Sequence, residues 1–227
     1  MQIIFVRHGH PNYKDDCLTE LGHLQAKACA ERLKGEHFDA LYSSTCGRAM
    51  ETAEHIAEGR GQEIVPLEFM REIRWGSIDE EPIYERGHPW YTADKIVAEG
   101  QSLLEPDWAE KPPFDRNKVD GYVDIVVKGL DEWLQGLGYR REGLYYRVES
   151  PNEDRILLAS HAGSSGAVLS HLLNLPFPFV MGTLQPDFTG IHVLSLDGEE
   201  GTLISPVVRL LNDARHIEGL EAKLQYE

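Results

Sequence analysis

Residues 2–9 read QIIFVRHG, an apolar run that stops at an arginine, a histidine and a glycine. Such a continuous apolar run is typical of a strand that is buried on both faces of a sheet. Residues 155–163 read RILLASHAG and repeat the arrangement, since an apolar run again ends at a histidine that a glycine soon follows. The two runs therefore predict two buried strands that end at His8 and His161.

Strand-like segments alternate with segments of helical periodicity along most of the chain. Thr19 stands where it can cap a first helix that follows it. Asp39–Ser44 is predicted as a second short strand, and a second helix follows it from about Gly47. The other predicted elements are strands at Glu63–Leu67, Ile191–Leu196 and Leu203–Leu210, and helices at about Tyr91–Leu104, Gly121–Leu137 and Ser164–Leu173. Strands that alternate with helices predict an α/β fold, here a three-layer α/β/α sandwich with a mostly parallel central sheet.

The length of 227 residues fits a single domain that spans residues 1–227. One segment, at about residues 79–117, breaks the alternation of strands and helices and contains five prolines. We predict that this segment is a partly helical insertion that forms a lid over the site, because mobile segments of this kind close over ligands. Five of its residues with aromatic rings either line a substrate pocket or pack the insertion's own small core; they are Tyr84, His88, Trp90, Tyr91 and Trp108.

The composition argues against several classes of protein. The chain carries 22 basic and 38 acidic side chains, a formal charge of −16 at pH 7, and the acidic residues are spread over its whole length. Proteins that bind nucleic acid or anionic membrane surfaces need dense lysine and arginine, so we expect neither partner.

Three cysteines without a Cys-x-x-Cys pair argue against a disulfide scaffold or a cysteine zinc site and favour the cytoplasm. We also expect no signal peptide and no membrane-spanning helix, because the first residues lack a charged region and no apolar stretch reaches about 18 residues.

The ends of the predicted strands place several polar side chains together. Ligands of open α/β sheets bind beyond the carboxyl ends of the strands, so His8 and His161 are expected to face one crevice. Arg48 follows the strand Asp39–Ser44 and falls in the first turn of the next helix, where the helix N-terminus also favours anions. Together with Arg7, these residues predict a binding site for a tetrahedral oxyanion, for which phosphate is the obvious candidate.

Six short blocks of the sequence carry a resemblance to a known family. In chain order they are Arg7-His8-Gly9, Leu18–Gly22, Ser43–Ala53, Glu72–Gly76, Ser160–Gly163 and Leu211–His216. By the identity, order and spacing of these blocks, the chain resembles the histidine phosphatase superfamily, the phosphoglycerate mutase-like proteins. The resemblance implies an activity in which a phosphoryl group is transferred.

The resemblance also implies a role for each matched residue. His8 would attack phosphorus and carry the phosphoryl group as a covalent intermediate. Arg7, Arg48 and His161 would hold the phosphate oxygens and stabilise charge in the transition state. Glu72 would give a proton to the leaving oxygen and then take one from the attacking water. No metal ion or other cofactor would be required, because the two arginines and His161 supply the charge that a cation would supply.

The sequence departs from the family pattern where the leaving group is expected. After the first block the family usually has an acidic residue and a small hydroxyl residue, whereas this chain has His10 and Pro11. Lys14 stands where the family often has asparagine. We take His10, Asn12 and Lys14 as candidate substrate-binding residues, and the departures leave the identity of the substrate open.

The function that these observations favour is hydrolysis of a phosphomonoester of a small soluble molecule. The alternative within the family is a mutase, which returns the phosphoryl group to a second hydroxyl of the substrate. Two further hypotheses are a non-catalytic phosphate-binding module and a metallohydrolase that uses His8, His10 and His161 with nearby aspartates. A cysteine phosphatase is disfavoured because no cysteine is followed by arginine at the Cys-x5-Arg spacing. No coiled coil or extended apolar stripe indicates an oligomeric state.

Overall fold

The computed structural model describes residues 1–220 and consists of a central sheet with helices packed on both of its faces. The strands are β1 Gln2–Arg7, β2 Pro11–Asn12, β3 Cys17–Leu18, β4 Ala40–Ser44, β5 Ile64–Leu67, β6 Tyr139–Glu142, β7 Tyr145–Val148, β8 Arg155–Ser160, β9 Ile191–Ser195, β10 Leu203–Ile204 and β11 Val207–Asp213. The helices are α1 Glu20–Arg32, α2 Gly47–Ala57, α3 Pro89–Ala98, α4 Val119–Gly136, α5 Ala162–Leu173 and α6 Phe177–Thr183. Within these residues, none of the helices has the length and apolar character needed to cross a membrane.

The central sheet has the strand order β11-β9-β1-β8-β4-β5. Strand β1 pairs in parallel with β8, β8 with β4, and β4 with β5, whereas β9 is antiparallel to both β1 and β11. The sheet is therefore mostly parallel, as the alternation of strands and helices predicts. Because β1 and β8 are neighbours, their carboxyl ends bring the two histidine-containing loops side by side at one edge of the sheet.

Successive side chains of β1 enter two separate hydrophobic cores. Ile3 and Phe5 belong to a core that includes residues of α4, α5 and α6. Ile4 and Val6 belong to the opposite core, which includes residues of α1 and α2. A strand that is covered on both faces needs an apolar residue at every position, and this is the pattern of QIIFV. The three-layer α/β/α arrangement predicted from the sequence is thus confirmed.

The single strand predicted at Leu203–Leu210 is wrong, because two strands in different sheets occupy this stretch. Strand β10 pairs with β7 in a three-stranded sheet of order β10-β7-β6, whereas β11 pairs with β9 at the edge of the central sheet. The chain breaks at Pro206, whose nitrogen carries no proton for a ladder hydrogen bond. The hairpin of β6 and β7, which turns at Gly143 with a φ of 62°, is an element that the sequence interpretation missed.

The segment at residues 79–117 packs against the rest of the protein through α3, which lies on α6. Its helix is α3 rather than the predicted Tyr91–Leu104, because Gly100 adopts a φ of 71° soon after the last helical residue. Asn117 joins the end of the segment to two other stretches: its amide nitrogen donates to the carbonyl of Gly87 at 2.7 Å, and its amide oxygen accepts from the nitrogen of Gly76 at 3.1 Å. That this segment acts as a lid stays a prediction.

The loop that follows β1 lies directly on the first turn of α1. A Cβ atom at Gly9 would lie 2.5 Å from the carbonyl oxygen of Gly22, far inside van der Waals contact, so only glycine allows the two backbones to approach so closely. Thr19 caps α1 as predicted, since its hydroxyl accepts a hydrogen bond from the nitrogen of Gly22 at 3.1 Å. This packing holds the loop that carries His8 in one position.

Asp213 ends β11 and joins this edge strand to α1. Its buried carboxylate accepts hydrogen bonds from Arg215 at 2.9 Å and from Arg32 at 3.1 Å, and these bonds hold the pKa of Asp213 well below its usual range. Because the pKa is depressed in the folded state, the stabilisation is fully present above the ordinary aspartate pKa of about 3.9. It is lost progressively as the pH falls below that value towards the folded-state pKa.

We predict that Asp213→Asn lowers the free energy of unfolding at pH 7 by about 2 kcal/mol, because charge-assisted hydrogen bonds are lost in a buried position. Urea denaturation followed by circular dichroism at pH 7 and at about pH 3 measures the difference, which should shrink at the lower pH. The control is Asp79→Asn, which breaks an ion pair with Arg116 between two exposed side chains and should have a much smaller effect. Equal losses in the two variants would contradict the prediction.

Candidate active site

His8 and His161 lie next to each other where β1 and β8 end. Both are buried, with 1% and 0% of their surfaces exposed, and their ring centroids are 5.1 Å apart. The parallel register pairs Arg7 with Ser160, so each histidine directly follows its strand at the same level of the sheet. The two strand ends therefore bring both histidines into one crevice.

The backbone determines which nitrogen of His8 carries the proton. The Nδ1 atom of His8 lies 2.7 Å from the carbonyl oxygen of Gly9, and because a carbonyl can only accept, Nδ1 must donate. The lone pair is thus on Nε2, which lies 3.3 Å from the Nε atom of Arg48. Burial, followed by the charges of Arg7 and Arg48, holds the pKa of His8 well below its usual range, so the ring is neutral at pH 7.

Arg48 is held between His8 and a carboxylate that the sequence interpretation missed. Its Nη1 atom donates to Asp16 in a close ion pair, and the second carboxylate oxygen of Asp16 accepts from the nitrogen of Gly47 at 2.9 Å. Asp16 adopts a left-handed backbone conformation with a φ of 52°. The only signal in the sequence is the pair Asp15-Asp16 in the loop between β2 and β3, and no local pattern shows which of the two meets Arg48.

Arg7 contacts residues 186–188, a segment to which the sequence analysis gave no role. Its guanidinium carbon lies 4.1 Å from the ring centroid of Phe188 and 5.7 Å from that of Trp90. Its Nη1 atom donates to the carbonyl oxygen of Pro186 at 2.6 Å. Only 3% of Arg7 is exposed, so its charge acts in surroundings where electrostatic interactions are stronger than in water.

His161 contacts the end of the neighbouring strand β4. Its Nε2 atom lies 2.8 Å from the hydroxyl oxygen of Ser44, which in turn accepts from the nitrogen of Cys46 at 3.2 Å. The Nδ1 atom of His161 is buried and has no hydrogen-bond partner among residues 1–220. Burial, then the neighbouring His8 and Arg48, lower the pKa of His161 well below its usual range, so this ring is also neutral at pH 7.

Glu72 lies at the N-terminus of α5, beside His161. One of its carboxylate oxygens accepts hydrogen bonds from the nitrogens of Ile73 and Ser164, each at 3.0 Å. Burial raises the pKa of Glu72, although Arg48 and these backbone hydrogen bonds act in the opposite direction. The other carboxylates of this stretch, at Glu68, Asp79, Glu80 and Glu81, are exposed.

The three candidate substrate-binding residues are placed differently. The ring of His10 packs against Phe188 with centroids 5.3 Å apart, and its Nδ1 atom lies 2.9 Å from the hydroxyl of Thr19. Asn12 is used within its own loop, where its amide donates to Asp15 at 2.8 Å. Lys14 is exposed. Of the three, His10 is therefore the one that shares a neighbour with Arg7.

A narrow pocket, with a cavity volume of about 40 Å³, borders two of these groups. Arg7 and Glu72 lie on its walls, and so does Gly163 of α5. The remaining side chains on its walls are largely apolar or aromatic: Tyr13, Ile73, Trp75, His88, Pro89, Trp90, Ala162 and Met181. Trp75 directly follows the Glu72 segment, and His88 and Trp90 belong to the insertion at residues 79–117.

The hypothesis of a metal site at His8, His10 and His161 is not supported. Within residues 1–220, no three side chains of histidine, cysteine, aspartate or glutamate come together in a way that could hold a metal ion. The cationic groups beside the two histidines are instead the guanidinium groups of Arg7 and Arg48.

Gly163 is required for the position of Glu72. A Cβ atom at residue 163 would lie 2.6 Å from the Oε1 atom of Glu72 and would also overlap the side chain of Ile73. We predict that Gly163→Ala lowers the free energy of unfolding by about 2 kcal/mol and shifts the titration of the Glu72 carboxyl carbon in NMR spectra. The matched control is Gly121→Ala in α4, where a Cβ atom meets nothing within 4 Å and alanine should be neutral or stabilising. Unchanged stability and titration in Gly163→Ala would contradict this role for the glycine.

Comparison with known proteins shows which family this chain is similar to. Residues 3–111 match the model of the histidine phosphatase superfamily (branch 1). The probable phosphoglycerate mutase GpmB of Yersinia pestis (strain Pestoides F) is 29% identical over 186 residues, which cover 78% of this chain and 76% of the relative.

Solved structures with the same fold include two phosphatases. A phosphoserine phosphatase from Entamoeba histolytica in complex with 3-phosphoglyceric acid has a TM-score of 0.62 at 22% identity, covering 96% of this chain and 99% of that one. The alpha-ribazole phosphatase from Shigella flexneri has a TM-score of 0.61 at 17% identity, covering 94% of this chain and 97% of that one. At these identities the likeness shows a common fold. In sequence, residues 3–111 of this chain are similar to the histidine phosphatase superfamily (branch 1).

Proposed function

We propose that this chain is a phosphatase that hydrolyses a phosphomonoester of a small soluble molecule through a phosphohistidine intermediate at His8, without a metal ion. The observation that carries the proposal is the state of His8, a neutral ring whose Nδ1 atom donates to Gly9 and whose Nε2 lone pair lies beside Arg48. An imidazole that is neutral and fixed in one tautomer is a suitable nucleophile. The three cysteines of the chain are free, which supports a reducing, cytoplasmic setting.

The transferred phosphoryl group would lie among Arg7, Arg48 and His161. The two guanidinium groups are buried and offer planar sets of donors that suit phosphate oxygens. If the hydroxyl of Ser44 donates to Nε2 of His161, the proton of this ring is on the buried Nδ1 atom, which can donate to a phosphate oxygen. Phosphoryl transfer depends mainly on positioning and on stabilisation of charge, and these three residues supply both.

The reaction would then proceed in two steps. The lone pair of His8 Nε2 forms a bond to phosphorus while the bond from phosphorus to the leaving oxygen breaks, and the Glu72 carboxyl gives its proton to that oxygen. In the second step a water molecule attacks phosphorus, Glu72 accepts its proton, and the bond from phosphorus to nitrogen breaks to release phosphate. The raised pKa of Glu72 supports this role, because the carboxyl then keeps its proton closer to neutral pH.

A mutase is the alternative that the name of the curated relative favours. It shares the first step and differs in the acceptor, because a second hydroxyl of the substrate takes the phosphoryl group in place of water. Incubation with 3-phosphoglycerate, with and without a bisphosphate primer, separates the two. Formation of the 2-phosphoglycerate isomer supports the mutase, and release of inorganic phosphate supports the phosphatase. Turnover of either kind removes the hypothesis of a non-catalytic phosphate-binding module.

We predict that His8→Ala reduces hydrolysis of an aryl phosphate by at least about 1,000-fold, because the step that forms the covalent intermediate is lost. Rapid-quench measurements on the wild type should show an acid-labile phosphoenzyme, which the variant should lack. Excess EDTA should leave the wild-type rate unchanged. The control is His37→Ala, a histidine whose side chain is 77% exposed, which should retain full activity. A phosphoenzyme in His8→Ala, or loss of activity with EDTA, would refute the proposed mechanism.

We predict that Glu72→Gln slows phosphate esters of poor leaving groups by about 100-fold and those of good leaving groups by only a few-fold, because only the former need a proton in the transition state. The rate with a poor leaving group should fall in the wild type as the pH rises through the pKa of Glu72, and the variant should lose this decrease. Glu68→Gln, at an exposed carboxylate four residues away, is the control. Equal losses for both kinds of ester would contradict the acid role.

A further inference from the structure

One wall of the pocket is built from aromatic rings. The rings of Trp75 and His88 meet edge to face with centroids 4.5 Å apart, and the centroids of His88 and Trp90 are 5.6 Å apart. Ile73 and Met181 add apolar surface to the same pocket. A flat ring inserted here would make the edge-to-face and offset contacts that aromatic pairs prefer.

This wall brings no charge of its own into the pocket. Among the side chains of residues 1–220 that line it, Arg7 and Glu72 are the two with a formal charge. The Nδ1 atom of His88 accepts from the nitrogen of Trp90 at 3.3 Å, and burial lowers the pKa of His88 to about 4, so its ring is neutral at pH 7. In the proposed mechanism Arg7 holds the phosphoryl group and Glu72 handles the proton, which leaves no cation for a second anionic group.

We propose that the substrate is a phosphomonoester whose leaving group is uncharged and aromatic. This inference rests on the proposed function and specifies its substrate class. The leaving oxygen would lie beside Glu72, and the ring attached to it would pack against Trp75, His88 and Trp90. A carboxylate or second phosphate in place of the ring would enter a largely apolar pocket without a partner and beside the Glu72 carboxyl, which is costly.

The outer part of the pocket can open for such a ring. Tyr13 and Trp75 are the exposed side chains on its wall, with 57% and 38% of their surfaces accessible, whereas Trp90 is only 4% exposed. The ring of Tyr13 lies over the guanidinium group of Arg48, with 5.4 Å between the ring centroid and the guanidinium carbon. Rotation of Tyr13 and Trp75 would widen the entrance, while the buried Trp90 keeps the inner wall in place.

Two other cations lie near Glu72 but line a separate cleft. Arg71 and Arg74 border this neighbouring cleft, to which Glu72 also contributes. Arg71 is already engaged, because it donates to the hydroxyl of Thr45 at 3.2 Å and pairs with Glu68 at 3.8 Å. An anionic leaving group that turned into this second cleft would meet these arginines, so Arg71 is a residue that a test must include.

The first experiment compares 4-methylphenyl phosphate with 4-carboxyphenyl phosphate, two esters of similar shape that differ by one negative charge. We expect kcat/KM to be at least about 30-fold higher for the methyl compound, although the carboxyphenol is the better leaving group. Hydrolysis of 3-phosphoglycerate should be slower still.

The second experiment measures the ratio of kcat/KM for phenyl phosphate to kcat/KM for ethyl phosphate. This ratio should fall about 10-fold in Trp75→Ala, because the variant lacks one ring of the aromatic wall. It should stay unchanged in the control Ile78→Ala, since Ile78 is a neighbouring exposed residue outside the pocket.

The outcomes separate this inference from the proposed function. The inference is overturned, and the proposed function stands, if the carboxylated esters are hydrolysed as fast as the methyl compound and this activity depends on His8 and is reduced by Arg71→Ala. An unchanged ratio of phenyl to ethyl phosphate in Trp75→Ala also overturns the aromatic assignment. If no phosphomonoester is turned over in a manner that depends on His8, the proposed function fails and the inference falls with it.

Discussion

The hydrogen bond from the Nδ1 atom of His8 to the carbonyl of Gly9, 2.7 Å long, determines which side of the imidazole carries the lone pair. This bond depends on the path of one short loop. The loop keeps its path because Gly9 lies in backbone contact with Gly22, where a side chain on either would overlap the other segment. The cap that Thr19 places on α1 is part of the same contact. The orientation of the His8 ring therefore depends on the position of α1. The proposed reaction requires this orientation, so it also depends on the packing of the loop against α1.

The same region has to hold two arginine side chains away from water in a protein with a formal charge of −16. Arg7 and Arg48 are 3% and 8% exposed, and each charge has a partner: the ring of Phe188 and a backbone carbonyl for Arg7, and the carboxylate of Asp16 for Arg48. The acidic surface does not cancel this local positive charge, because a crevice can focus the field of the groups that line it against the sign of the whole surface. The net charge of the protein therefore affects its solubility, whereas the two buried arginines, Arg7 and Arg48, favour anion binding at the site.

The part of the site that could be predicted from the sequence is the part that local patterns determine. His8 and His161 follow apolar runs, and Arg48 falls in the first turn of a helix, so the strand ends alone place them at one edge of the sheet. Asp16 and Phe188 could not be found in this way, since each lies in an irregular loop and meets its arginine through a contact between distant parts of the chain. The elements of the fold likewise differ in how well local patterns predict them. Core strands could be predicted from apolar runs. The break between β10 and β11 could not, because it depends on one proline within an apolar stretch that otherwise has the pattern of a single strand.

The aromatic insertion connects substrate choice with the strength of the phosphate site. Structures of this fold include phosphatases named for phosphoserine and for alpha-ribazole, so the fold itself does not set the leaving group. In this chain Trp90 lines the pocket and also lies 5.7 Å from the guanidinium carbon of Arg7, which it helps to shield from water. The interaction between Arg7 and a phosphoryl group strengthens as water is excluded. A change in this part of the insertion would therefore alter two properties together: which leaving group fits, and how strongly the site stabilises the group that is transferred.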